Sequence, residues 1–185
     1  PPKPARQTPP VPIGKLGNTI AAGFEKLKWH WWPSDGAIIT KPYDGRAPCN
    51  NCGPCELGCF TRAKASADVT YWAKALENGA FLETGTRGRE ITIGKDGLAN
   101  GAIYYDQNGN VHQQKARLVV LACNGIGTPR LLLNSKSPTF PDGLANNNGI
   151  VGKNLMFHPV SAITGIFDDH IEGHKGPIGN IIFSH

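Results

Sequence analysis

Leu118-Val119-Val120-Leu121-Ala122-Cys123-Asn124-Gly125-Ile126-Gly127-Thr128-Pro129-Arg130-Leu131-Leu132-Leu133 is the stretch on which the reading of this chain turns. The run from Leu118 to Ala122 is apolar without alternation, the pattern of a strand covered on both faces, as in a parallel sheet. Small residues at Ala122, Gly125 and Gly127 let the backbone approach another group closely. Thr128-Pro129 predicts an N-cap and a first-turn proline, with the helix carried onward over Arg130 to Asn134. The carboxyl end of a parallel strand entering a helix is where open α/β folds bind nucleotides. The glycine fingerprint is incomplete, because Arg130 stands where the third glycine of Gly-x-Gly-x-x-Gly belongs. On local chemistry alone, an ordinary strand-to-helix turn remains open.

Working outward, residues 80–122 read as mostly β. Ala80–Thr84 and Arg89–Gly94 predict strands, Lys95-Asp96-Gly97 turns the chain, and Gly101–Asp106 returns it. Gln107-Asn108-Gly109-Asn110 is a hairpin signal, Val111–Lys115 pairs back, and Ala116–Ala122 continues as the buried strand. A small antiparallel meander is thus expected between a helix and a buried strand. The preceding helix starts near Ser66-Ala67-Asp68-Val69, with Ser66 capping and Asp68 in the first turn, carries Val69, Trp72, Ala73 and Leu76 as its stripe, and closes at Gly79. An earlier helix is marked by Leu16, Ile20, Phe24 and Leu27, capped by Asn18 or Thr19 and ended before Pro33. The tryptophans at 29, 31 and 32 read as a packed anchor under a loop. Residues 1–12, with six prolines, read as extended linker, and residues 179–185 as a strand cut off before its partner.

The 185 residues carry a formal charge of +5 with no Lys/Arg block, so no nucleic-acid partner is expected. At 39% hydrophobic residues the chain is too apolar for disorder. No apolar run approaches the ~20 residues of a membrane span, so no transmembrane segment is expected.

Cys49, Cys52, Cys55 and Cys59 follow the spacing C-x2-C-x2-C-x3-C, the iron–sulfur run of bacterial ferredoxins, with Phe60 in place of the usual following proline. Cys49, Cys52 and Cys55 are candidate ligands of a 3Fe-4S cluster, or of a 4Fe-4S cluster with Cys59 assisting. Zinc, which usually draws on two separated loops, and reduced thiols remain alternatives. A disulfide framework does not suit a chain with this much apolar core, and Cys123 reads as a small buried residue.

Asn124-Gly125-Ile126-Gly127-Thr128-Pro129-Arg130-Leu131-Leu132-Leu133-Asn134-Ser135 resembles the second signature of the glucose–methanol–choline (GMC) FAD-dependent oxidoreductases, small-Gly-x-x-Thr/Ser-Pro-x-Leu-Leu-x-x-Ser. Val151-Gly152-Lys153-Asn154-Leu155-Met156-Phe157-His158 resembles the segment where the family's chain leaves its FAD domain. Leu82–Ile91 is similar to the strand pair that touches adenine, with Gly88 where valine is common. Lys136-Ser137-Pro138 departs from the family's Gly-Ile/Val-Gly. The resemblance runs from about Pro42 to Pro159.

It implies an α/β fold: part of a Rossmann-like FAD-binding domain with an inserted meander, running into the start of a substrate domain. The implied domains are a linker and short helix over 1–41, FAD-binding domain over 42–158, and substrate domain from 159 to 185. It implies FAD as cofactor, with Gly88, Ala122, Cys123, Asn124, Gly125 and Thr128 on the FAD side. The implied reaction is oxidation of a small-molecule alcohol or sugar CH–OH by hydride transfer to flavin N5; the electron acceptor stays unknown. The family's catalytic His and its dinucleotide fingerprint find no match here, so the chain is expected to be an internal fragment, inactive alone. His158 is not expected to be catalytic. Pro42-Tyr43-Asp44-Gly45-Arg46 before the cysteines resembles the sugar-dehydrogenase branch that carries a three-cysteine iron–sulfur site. Two rivals are an iron–sulfur electron-transfer module, which lacks a second cysteine set, and a non-catalytic meander domain, which leaves both signatures unexplained.

Overall fold

A computed structural model describes residues 6–177 and 183–184. The chain divides into two compact units, Pro1–Phe81 with Ile163–His185, and Leu82–Ala162.

In the first unit, helix α1 spans Gly14–Leu27 and buries Gly17 and Ala21. Neither Asn18 nor Thr19 caps it. The helix begins earlier, at Gly14, with Ile13 at the cap position and no side-chain cap, and Thr19 Oγ1 donates instead to the Lys15 carbonyl. A left-handed Lys28 ends it before Pro33 has any say, its N–H reaching the carbonyls of Glu25 and Phe24. Strand β1, Trp31–Trp32, then pairs antiparallel with β5, Phe183–Ser184, so these two residues of the expected 179–185 strand have a partner within the chain, and the others lie outside the described residues. Trp29 is 55% exposed and stacks on Phe24 at 5.8 Å, so it covers the helix rather than anchoring a core.

The proline-rich start is not a free linker where it is described. Thr40 Oγ1 donates to the Pro9 carbonyl at 2.7 Å, and Val11 is buried. Residues 37–39 pair with 63–65 through Ile39 N–H to Ala63 O and Ala65 N–H to Ala37 O, which buries Ile39 and Ala63. Ala67–Val69 form a single 3₁₀ turn, and helix α2 follows over Tyr71–Glu77. Ser66 occupies the expected cap position but makes no capping bond there. The α2 stripe is largely uncovered, with Trp72 and Leu76 more than two-fifths exposed. Gly79 follows in the left-handed conformation, as the sequence predicts.

The second unit holds the meander: β2 (Arg87–Ile93), β3 (Ala99–Tyr105) and β4 (Val111–Lys115), in the order β2-β3-β4, all antiparallel. Arg89 has no partner in the register between Gly88↔Tyr104 and Glu90↔Ile103, and Asn100 none between Thr92↔Gly101 and Ile93↔Ala99; these irregularities add local twist. Helix α3 spans Asn124–Asn134 and packs on β2. At that contact Ser135, 2% exposed, accepts the Ile91 N–H at 2.8 Å and donates to the Leu131 carbonyl at 2.7 Å.

Two predicted strands do not form. Ala80–Thr84 and Ala116–Ala122 carry no strand pairing among the described residues, and Leu118 and Val120 are 79% and 77% exposed. An apolar run becomes a doubly covered strand only when strands flank it and layers cover it; the antiparallel meander ends at Lys115 and offers it neither. What stands is a mixture of helices with antiparallel sheet.

Candidate functional site

The start of α3 is built by Asn124. Its φ of +63° is left-handed, a conformation Asn tolerates better than most residues, and its Oδ1 accepts the N–H groups of Ile126 (2.9 Å) and Gly127 (3.0 Å). Asn124, rather than Thr128, therefore caps the helix, and Thr128-Pro129 lie inside it. The Thr128 hydroxyl accepts the Cys123 N–H at 3.1 Å and folds the entering chain onto the first turn. A Cβ at Gly127 would stand 3.1 Å from that of Cys123, so any larger residue would push the entering chain back by a few tenths of an ångström. Ala122, Cys123, Asn124 and Gly125 are exposed and Thr128 is half-buried. The expectation of a buried Cys123 fails with that of the strand before it: no layer covers either.

The structure brings the two sequence landmarks together. Gly152, at φ +80°, passes so close to α3 that a Cβ there would lie 3.2 Å from Leu133 Cδ1 and 3.8 Å from Pro129 Cβ. Between α3 and the 152–156 segment lies an open groove of about 620 Å³, lined in part by Gly125, Ile126, Arg130, Lys153, Asn154 and Met156. Its charged lining residues are Arg130 and Lys153, with no carboxylate among them. Neither cation stands out in the sequence, since both occupy variable positions of their motifs. Gly88 lies on β2 facing the same helix: a Cβ there would be 3.9 Å from both methyls of Leu131. His158 is exposed and, among the described residues, makes no hydrogen bond.

The cysteine loop belongs to the first unit. Cys49 Sγ accepts the Asn51 N–H at 3.4 Å, Cys52 N–H donates to Asn50 Oδ1, and the Cys55 carbonyl accepts Lys64 Nζ at 2.9 Å. Cys59 Sγ lies 3.6 Å from Thr61 Oγ1 and accepts the Lys64 N–H at 3.3 Å. Burial pushes the Cys59 thiol up, but the backbone donor of Lys64, the Thr61 hydroxyl and the backbone of Ala63 and Thr61 outweigh it, leaving its pKa lowered. All five cysteines are free thiols. Among the described residues no three Cys, His, Asp or Glu side chains gather as a metal site, so Cys49, Cys52 and Cys55 are not brought together as a ligand set.

These landmarks place the chain in a class. It belongs to the GMC oxidoreductases, whose family model matches residues 36–160 and so takes in the cysteine loop, the meander, α3 and the groove. Among known proteins it is 44% identical to a 2-methyl-1,2-propanediol dehydrogenase of Mycolicibacterium austroafricanum over 179 residues, covering 96% of this chain and 32% of that protein. It is 32% identical to the fructose dehydrogenase large subunit of Gluconobacter japonicus, covering 80% of this chain and 27% of the relative. It is also 32% identical to a 6'''-hydroxyparomomycin C oxidase of Streptomyces lividus, covering 89% and 30%. The chain thus spans about a third or less of the length of the curated relatives it matches. Among the described residues no helix is long and apolar enough to cross a membrane.

Proposed function

We propose that this chain contributes the central part of an FAD-dependent oxidoreductase acting on the CH–OH group of a small alcohol or sugar. The observation that carries the reading is the convergence of the family's two landmarks on one groove with cationic and no anionic lining. The relatives' names, a 2-methyl-1,2-propanediol dehydrogenase, a fructose dehydrogenase large subunit and a 6'''-hydroxyparomomycin C oxidase, all point to hydroxyl-bearing substrates. On this reading residues 1–41 are a lead-in segment, 42–158 part of the FAD-binding domain, and 159–185 the start of the substrate domain.

FAD is the cofactor of this family, and the residues present fit an edge of it. Exposed small residues at Ala122, Cys123 and Gly125 leave a planar group room to approach, and Arg130 and Lys153 offset anionic charge. The amides at the start of α3 that a phosphate would use are already taken by Asn124 Oδ1, so this is a contact edge and not a bare helix N-terminus. Ala122, Cys123, Asn124, Gly125 and Thr128 would hold the cofactor from α3, and Gly88 from β2. When bound, FAD supplies the acceptor for the hydride leaving the substrate carbon. The chain's own residues position that edge: Thr128 and Asn124 lock the loop against α3, and Ser135 ties that helix to the strand carrying Gly88. His158 is not assigned as the base that removes the hydroxyl proton.

An anaerobic visible spectrum of the full-length protein, with iron and sulfide analysis, tests this. Flavin bands without iron are expected. Their absence would refute the reading, and iron and sulfide in stoichiometric amount would restore a cluster to the cysteine loop.

A further inference from the structure

Met156 is the single methionine in the 185 residues, and it stands at the groove where the two landmarks meet. The segment that carries it is held to α3 at two points. A Cβ at Gly152 would meet Leu133 Cδ1 at 3.2 Å, and one at Gly125 would lie 3.8 Å from Leu155 Cδ1. Between them the Lys153 N–H closes a turn onto the Ile150 carbonyl at 3.1 Å, and Asn154 is left-handed at φ +60°. Leu155 thus meets the helix, while Met156, next in the chain, is left 86% exposed along the groove.

Methionine usually fills gaps in a core, where packing hides its sulfur. Here the side chain is almost uncovered, and among the described residues it is the only sulfur in the groove's lining. A hydroperoxide oxidises such a thioether in one two-electron step. The sulfur lone pair attacks one peroxide oxygen, and the S–O bond forms as the O–O bond breaks. The other oxygen departs as hydroxide and takes the proton from the new S–OH group, leaving as water. Sulfur is oxidised to the sulfoxide and the peroxide is reduced. Arg130 and Lys153 line the same groove, and cations there favour the departing hydroxide.

We propose that Met156 is a reversible oxidation site, modified by hydrogen peroxide, through which oxidant loosens the groove's hold on flavin. The modification stands on the exposed thioether; its effect on flavin rests on the reading of the groove given above. Sulfoxide formation turns a flexible apolar side chain into a polar one, which no longer packs well against a flat ring.

Peroxide treatment of the full-length protein, followed by dithiothreitol and peptide mass spectrometry, tests this. Dithiothreitol restores cysteine from its sulfenic acid and disulfide states, the exposed Cys52 and Cys123 included, but leaves methionine sulfoxide, which methionine sulfoxide reductases reverse. The peptide carrying Met156 should gain one oxygen, more slowly in flavin-loaded than in flavin-free protein. Flavin released on ultrafiltration, read by its fluorescence, should rise in step with that gain. Affinity for FAD should fall about tenfold, the scale of one lost methionine contact, and the two sulfoxide reductases together should restore it. In Met156→Leu the peroxide-dependent release should vanish, and Met156→Gln should release flavin without peroxide. Met156 left unoxidised while methionines elsewhere in the protein react, or flavin release unchanged at full Met156 oxidation, would overturn the proposal. Full-length protein without flavin before peroxide is added would refute the reading of the groove, and the control over flavin with it. Should Met156→Leu fail to fold, the release from the unaltered protein and its reversal by the reductases still decide it.

Discussion

Ser135→Ala is the substitution whose outcome the structure defines most sharply. Ser135 is only 2% exposed, and its hydroxyl joins two elements 44 residues apart. It accepts the buried Ile91 N–H at 2.8 Å and donates to the Leu131 carbonyl at 2.7 Å. Alanine keeps the volume almost unchanged, so no cavity of consequence opens. It leaves a buried amide without an acceptor, because Ile91 pairs with Ala102 through the sheet on its other edge. An orphaned buried donor costs about 1–3 kcal/mol, and the loss of the second bond is minor because Leu131 O also accepts the Ser135 N–H. A destabilisation of about 2 kcal/mol lowers a urea midpoint by about 1 M at a slope near 2 kcal/mol per M. Urea titration followed by circular dichroism measures it, with amide exchange at Ile91 as the local probe. Ser161→Ala, at an exposed hydroxyl with no hydrogen bond among the described residues, is the control and should stay within about 0.5 kcal/mol. If Ser135→Ala matches the control and Ile91 exchange is unchanged, the claim that this hydroxyl ties β2 to α3 is wrong.

Asn124→Ala removes a cap and leaves a Cβ-bearing residue without the Asn side chain in a left-handed conformation, so it should cost about 1–2 kcal/mol, whereas Asn124→Gly should cost only a few tenths; thermal denaturation of the two variants compares them. At the β3–β4 turn, Asp106 accepts from His112, Asn110 and Asn108, which together hold its carboxyl far below the ordinary range. A lowered folded pKa stabilises above the unfolded value and is lost as pH falls through the folded one, so amide protection of Asn108 and Asn110 should decline below about pH 4 and continue to fall well under it. In Asp106→Asn that acid decline should vanish, as read by amide exchange. Alkylation of Cys59, followed by mass spectrometry, should titrate below the usual thiol range near 8.5, and Thr61→Val should move its midpoint upward.

The meander and the helix after it were legible because their signals are local. Asn108-Gly109 announces a turn and Lys95-Asp96-Gly97 another, and β4 falls on the residues read from the sequence, Val111–Lys115. The α3 helix was legible too, but its start was misplaced by four residues. Thr128-Pro129 is a strong start signal, yet a left-handed Asn124 that accepts two amides begins the helix sooner, and proline is tolerated within the early turns. The failures share one cause. Ala116–Ala122, Ala80–Thr84 and the buried Cys123 were inferred from composition, and burial is a property of what surrounds a segment. The proline-rich start fails as a linker for the same reason, since Thr40 holds it from 31 residues away.

By itself, then, the sequence determined the family, the order of the local elements and the residues of its two landmarks, because motif spacing and turn chemistry act over a few residues. Only the tertiary structure decided that Gly152–Met156 lies along α3 to make a groove with Arg130 and Lys153, and that Ser135 bonds Ile91. It alone also left the cysteines ungathered and closed the Arg46 Nε off from water without a hydrogen-bond partner. These depend on which distant segments share space, and no local preference encodes that.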